Sequence, residues 1–107
     1  MLKFIVVICK RADFSDEKFG AFMRDVHRPL ALKIPGLRRH VVNFPASDST
    51  RARPAWDAVV ELFFDSREAM EEAWRSPEGI AATRDLEEFA DLGRSTWSIV
   101  DVDETPL

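Results

Sequence analysis

The sequence predicts an α+β fold in which helices cover one face of a four-stranded antiparallel sheet. Three observations support this: four apolar, β-branched runs, two stretches with apolar residues at helical spacing, and polar or Pro-Gly breaks between them. The order strand–helix–strand–strand–helix–strand is the split βαβ, or ferredoxin-like, arrangement. With 107 residues, we expect a single domain over residues 1–107.

The first strand is predicted over residues 2–9, with both faces apolar and therefore both covered. The first helix should begin after Ser15, a favourable N-cap residue. Pro29 lacks an N–H, so we expect a kink there, and Pro35-Gly36 should end the segment. The apolar positions of this helix are Phe19, Phe22, Met23, Val26 and Leu30.

The second strand is predicted over residues 37–44, and its imperfect alternation leaves open which face holds His40. Residues 45–54 are polar and turn-rich, which indicates an exposed loop. The third strand, residues 56–64, has a wholly apolar face that should meet the helices. That face consists of Trp56, Ala58, Val60, Leu62 and Phe64, and the opposite face of Asp57, Val59, Glu61 and Phe63.

The second helical region should begin at Asp65, with Glu68 three residues on in a capping-box-like arrangement. Ser76-Pro77 predicts a further helix start, and a short helical segment should precede Gly93. The fourth strand is predicted over residues 95–102. We interpret the three tryptophans as core residues.

Composition excludes several classes of function. The net charge is −4 and no long basic run is present, so we expect no nucleic-acid partner. The apolar N-terminal run is too short to span a membrane and lacks a cleavage site, so we expect no membrane partner and a cytoplasmic location. The single cysteine, Cys9, excludes an intrachain disulfide and is interpreted as a buried strand residue.

The sheet face away from the helices predicts a homodimer. It carries Ile5, Val7, Val59 and Phe63, an unusual apolar surface for a monomer. A second copy packing sheet to sheet would bury it, with about 800 Å² per partner in a typical interface.

His27 is the first candidate for chemistry, because its unperturbed pKa lies near neutrality and it precedes the Pro29 kink. A purely structural histidine, bonded to a backbone carbonyl, is an equally good interpretation. Asp57 and Glu61 share a strand face and could form an acid/base pair with raised pKa values, although two such acids are more often solvated or ion-paired.

His40 and Asn43 lie three residues apart on a strand, so at most one should face a site. The strand pattern does not place His40 beside His27. Arg38 and Arg39 could bind an anionic group, although such arginines are more often surface charges. No metal-ligand spacing and no nucleotide or nucleophile motif is present, so neither a metal nor a cofactor is expected.

Several segments resemble the EthD family, within the dimeric α/β-barrel superfamily. They are KFIVVICKR, VHRPLALKIPGLRRHVVN, WDAVVELFFDS followed by EAM, SPEG and FADLGRS, which together span nearly the whole chain. The resemblance implies a ferredoxin-like subunit that pairs its sheet with that of a second subunit, and a cavity between sheet and helices or at the barrel mouth. Two departures from the family pattern stand out. Family members often have tyrosine at the position of His40, and an aromatic residue, often tryptophan, at the position of Met23 or Phe63.

The resemblance implies a small enzyme acting on a hydrophobic or aromatic, lactone-like or polyketide-like molecule by cofactor-free acid/base chemistry. The reaction would be an isomerisation, a cyclisation or an oxygenation. Two alternatives stay open: a non-catalytic ligand-binding or accessory protein of an oxidative pathway, and haem binding through one histidine. The candidate catalytic residues are His27, Asp57 and Glu61, and the candidate ligand-binding residues are Arg39, His40 and Phe63.

Overall fold

The computed structural model describes residues 1–107 and contains the predicted elements in the predicted order. The strands are β1 (Leu2–Ile8), β2 (Arg39–Asn43), β3 (Ala58–Phe64) and β4 (Thr96–Val100). The helices are α1 (Asp16–Phe22), α2 (Arg28–Ala31), α3 (Arg67–Arg75) and α4 (Pro77–Asp85), with a π-helical turn at Met23–His27 and a 3₁₀ turn at Leu86–Glu88. The strands run in the order β2-β3-β1-β4, each antiparallel to its neighbour. The predicted ferredoxin-like fold is confirmed.

The core lies between the sheet and the helices. On β3 the alternation is complete, with Ala58 and Phe64 fully buried (0 % exposed) and Glu61 on the opposite face only partly covered. The predicted inward face of this strand is therefore confirmed. Trp56 lies before the strand begins and is partly exposed.

Serine side chains cap α1, α3 and α4. Oγ of Ser15 accepts from the backbone N–H of Lys18 at 3.1 Å, and Oγ of Ser76 accepts from that of Gly79 at 3.0 Å, as predicted. The predicted cap at Asp65 is wrong by one residue, since Ser66 caps α3. Asp65 instead accepts two hydrogen bonds from the guanidinium of Arg38.

The expected distortion before Pro29 is a π-helical turn. The backbone N–H of Arg28 donates to the carbonyl of Met23, five residues back, and Pro29 has no N–H to offer. Buried side chains recur every four residues along this helical run, at Phe19, Met23, His27 and Ala31. In a regular helix each such step drifts by roughly 40° around the axis. The wider turn counteracts this drift, so all four side chains stay on the sheet side.

Two further features bear on the sequence interpretation. Trp97 is 55 % exposed, so its assignment to the core is wrong. Cys9 is buried, and its Sγ lies within hydrogen-bonding distance of the carbonyls of Ala55 and Arg94. None of the helices has the length and apolar character that crossing a membrane requires.

Candidate functional site

A largely apolar cavity of about 620 Å³ lies between the sheet and the helices. Fourteen of its 19 lining residues are hydrophobic, and they come from β1, β3, β4 and the helical layer. The remaining lining residues are His27, His40, Thr83, Arg84 and Glu87. A cavity with apolar walls and few polar groups is the usual form of a small-molecule site.

His27 forms a buried pair with Asp85 at the wall of this cavity. Its Nδ1 lies 2.8 Å from Oδ2 of Asp85, and the two side chains are only 9 % and 11 % exposed. An ionised carboxylate can only accept, so the proton of a neutral His27 resides on Nδ1. Nε2 is then the nitrogen that keeps a lone pair for proton transfer.

The surroundings favour the neutral form of His27. Burial lowers the pKa of His27, and the hydrogen bond and negative charge of Asp85 oppose that effect. The ring also contacts Phe89, with centroids 5.1 Å apart. A neutral imidazole with one nitrogen fixed by a carboxylate is the arrangement that a general base requires.

Asp85 is a residue that sequence reasoning missed. It is the last residue of α4, where the helix dipole disfavours a negative charge. An acid at this unfavourable position is the one local sequence signal that Asp85 has a role outside its own helix.

Gly79 lets α4 approach α3 closely, because a Cβ there would overlap the carbonyl of Ala73.

The structure brings His40 into the same cavity as His27. His40 lies opposite the buried Leu62, hence on the helix-facing side of the sheet. Burial, then the charges of His27 and Arg28, lower the pKa of His40. The sequence pattern did not place the two histidines together, and the structure corrects it.

Asn43 lies on the opposite face from His40, as its spacing predicted. Its side-chain amide donates to the carboxylate of Glu61 at 3.0 Å. Glu61 also forms a salt bridge with Lys3 at 2.9 Å. The hydrogen bond from Lys3, followed by that from Asn43, lowers the pKa of Glu61. The sequence interpretation had allowed a raised pKa.

Asp57 lies away from both Glu61 and His27. It lines a separate, more polar cavity, accepts from the backbone N–H of Lys10 at 2.8 Å and pairs with Arg53 at 3.1 Å. Because β3 turns Glu61 to its outer face and Asp57 lines the other cavity, neither carboxylate lies beside His27 within one subunit. The expected grouping of the three therefore needs correction.

Arg39 and Phe63 also occupy the outer face of the sheet. Arg39 pairs opposite Phe63 in the strand register, and its guanidinium lies 5.2 Å from the ring centroid. Lys3 approaches the same ring at 5.3 Å. Neither Arg39 nor Phe63 lines the apolar cavity, so of the three expected ligand-binding residues only His40 does.

Residues 11–93 match the model of the EthD domain. The chain belongs to the EthD family. The match covers most of the chain, including His27, His40 and Asp85. No curated protein matches the chain.

Solved structures share the fold of this EthD-family chain. An EthD family protein from Bacillus halodurans is 24 % identical, with a TM-score of 0.81 over 96 % of this chain and 100 % of its own. A dimeric protein of unknown function and ferredoxin-like fold from Bacteroides fragilis is 22 % identical, with a TM-score of 0.65 over 96 % and 95 %. SnoaB, a cofactor-independent oxygenase from Streptomyces nogalater, is 15 % identical, with a TM-score of 0.66 over 97 % and 94 %. At these identities the likeness concerns the fold.

Proposed function

We propose that this EthD-family protein is a small-molecule enzyme that uses His27 as its general base. The observation that carries the proposal is the buried 2.8 Å contact between His27 and Asp85 at the wall of an apolar cavity. Its substrate is a hydrophobic or aromatic molecule, since 14 of the 19 lining residues are hydrophobic.

The chemistry is proton transfer. Nε2 of His27 takes a proton from an acidic C–H or O–H of the substrate, and the electron pair left behind moves onto a substrate oxygen. The imidazolium that forms is stabilised by the carboxylate of Asp85. Return of the proton to another atom completes an isomerisation or a cyclisation. In an oxygenation the carbanion would form a C–O bond with molecular oxygen, and the imidazolium would return its proton to the resulting peroxide anion to give a hydroperoxide. The name of the SnoaB structure, a cofactor-independent oxygenase on the same fold, agrees with such chemistry.

A proton-exchange assay tests this proposal without knowledge of the natural substrate. A bicyclic ketone such as 1-tetralone has exchangeable hydrogens beside its carbonyl, and NMR in D₂O follows their loss. We expect the protein to accelerate the exchange, and His27→Gln to remove about 10²-fold or more of that acceleration. Undiminished exchange by a folded His27→Gln variant would contradict the role of His27.

Ligand binding without catalysis is the second candidate. It is favoured by two buried nitrogens, Nε2 of His40 and Nε1 of Trp74, which belong to cavity-lining residues and have no hydrogen-bond partner. A ligand could satisfy both without reacting. In that case the protein would bind the ketone and leave its hydrogens in place.

We further propose that the protein is a homodimer formed through the outer face of the sheet. That face carries the half-buried Ile5, Val7 and Phe63 beside the Lys3–Glu61 ion pair. Burial of apolar surface stabilises association by about 25 cal/mol per Å². The description of the Bacteroides fragilis structure as dimeric supports the formation of a dimer on this fold.

A further inference from the structure

We propose that the cavity selects apolar ligands that carry a hydrogen-bond-accepting oxygen, and that Trp74 is the residue that reads this oxygen through its Nε1–H. The inference deepens the proposed function and rests on its premise that the cavity binds a small molecule. A ketone, quinone or lactone carbonyl on an otherwise apolar body has the required chemistry.

The first support is an unsatisfied donor. Nε1 of Trp74 is buried and has no partner within the protein, while the ring lines the cavity. Indole N–H can only donate, so its partner must be an acceptor. A buried donor without a partner is rare in folded proteins, because it loses its hydrogen bonds to water and gains none.

The second support is that the donor is held in place. The Trp74 ring packs against Phe4 with centroids 5.2 Å apart and against Phe64 with centroids 5.7 Å apart. Trp74 also lies near the end of α3, directly after the fully packed Ala73. A donor fixed by its neighbours loses little freedom when a ligand binds, so its hydrogen bond adds to selectivity.

His40 supplies the other unpaired nitrogen of the cavity. Its Nε2 is buried without a partner, and unlike the indole it donates or accepts according to its tautomer. It therefore tolerates either a hydroxyl or a carbonyl, whereas Trp74 requires an acceptor. The requirement for an oxygen acceptor thus rests on Trp74.

A matched pair of probes tests the inference. 1-Tetralone and tetralin share one bicyclic skeleton and differ in the carbonyl oxygen, and their affinities follow from NMR titration of the protein. We expect the ketone to bind about tenfold tighter or more, and to move the Trp74 indole N–H resonance downfield. Trp74→Phe should bring the two affinities together, while Trp56→Phe, in the other cavity, should leave the preference intact.

The outcomes separate this inference from the proposed function. Equal affinity of the wild-type protein for both probes, or a preference that survives Trp74→Phe, would overturn the role of Trp74. An unmoved indole resonance on saturation with the ketone would do so even if the variant failed to fold. Binding of neither probe would remove the premise and both proposals with it. Selective binding without proton exchange would support the inference and count against the enzyme.

Discussion

Nδ1 of His27 lies 2.8 Å from Oδ2 of Asp85, although the two residues are 58 positions apart in the sequence. His27 is the last residue of the π-helical turn, inside a helical run that continues into α2, whereas Asp85 is the last residue of α4. The contact fixes the ring orientation and leaves Nε2 available for proton transfer. The proposed function depends on this pair.

Asp85→Asn is expected to lower the pKa of His27 further. The amide keeps an acceptor near Nδ1 but removes the negative charge that favours the imidazolium. NMR titration of the imidazole resonances measures this directly, and exchange of 1-tetralone should slow in parallel. Glu87→Gln, which removes another acid of the cavity lining, is the matched control and should have the smaller effect. An unchanged His27 pKa in Asp85→Asn would contradict the pairing.

Acidification through the histidine range is expected to destabilise the fold. Both His27 and His40 have pKa values below the ordinary 6.5, mainly because of burial. Below 6.5 the unfolded chain binds more protons than the folded one, so the free energy of unfolding falls as the pH falls toward the lowered values. The charges bearing on the two rings are that of Asp85, which opposes the shift of His27, and those of His27 and Arg28, which add to the shift of His40.

Urea denaturation at about pH 7.5 and about pH 5.5 measures this effect. A His27→Gln/His40→Gln double variant should show a smaller difference between the two conditions. Carboxylates such as Asp48, whose pKa is lowered to about 2, respond only in more acidic solution. Equal pH dependence in the wild-type protein and the double variant would show that the histidines are not responsible.

Local patterns predicted the fold well because each depends on neighbours in sequence. Alternation defined both faces of β3, and the caps at Ser15 and Ser76 follow from side-chain chemistry. The cap at Ser66 was missed because Asp65 beside it is an equally good capping residue, and only the pairing of Asp65 with Arg38 distinguishes them.

The site was predicted less completely because it depends on tertiary contacts. His27 was identified from its position before Pro29, but its partner Asp85 comes from a distant helix. The face of His40 remained open because β2 has apolar residues on both sides, and pairing with Leu62 on β3 decides it. Asp57 and Glu61 fit one alternating strand pattern, but they lie in different surroundings. Asp57 pairs with Arg53, and Glu61 pairs with Lys3.

Pro29→Ala tests whether the π-helical turn positions His27. Alanine restores an N–H at position 29, which allows the helix to return to regular α-helical bonding. The buried positions from Phe19 to Ala31 would then drift around the axis, and His27 would move away from Asp85. We expect a folded protein in which the His27 pKa differs from that of the wild type, because both the burial of the ring and its contact with Asp85 change, and in which ketone exchange is slower.

Leu30→Ala is a suitable control for that change, because it alters the neighbouring residue of α2 and keeps Pro29. It should leave the His27 resonances close to their wild-type positions. If Pro29→Ala leaves the His27 pKa and the exchange rate unchanged, the π-helical turn does not depend on the proline.

Phe63→Glu is expected to convert the proposed dimer into a monomer. Phe63 lies on the outer face of β3, between the cations of Arg39 and Lys3, and is only partly covered in one subunit. A carboxylate at that position would have to be desolvated at the centre of a sheet-to-sheet interface, which is unfavourable even beside Arg39 and Lys3. Sedimentation equilibrium at micromolar concentration should give twice the chain mass for the wild-type protein and the single mass for the variant.

Val26→Glu, which alters an apolar residue exposed on the helical layer, should remain dimeric. A wild-type protein that sediments as a monomer would rule out the assembly, whereas a dimeric Phe63→Glu variant would place the interface on another surface.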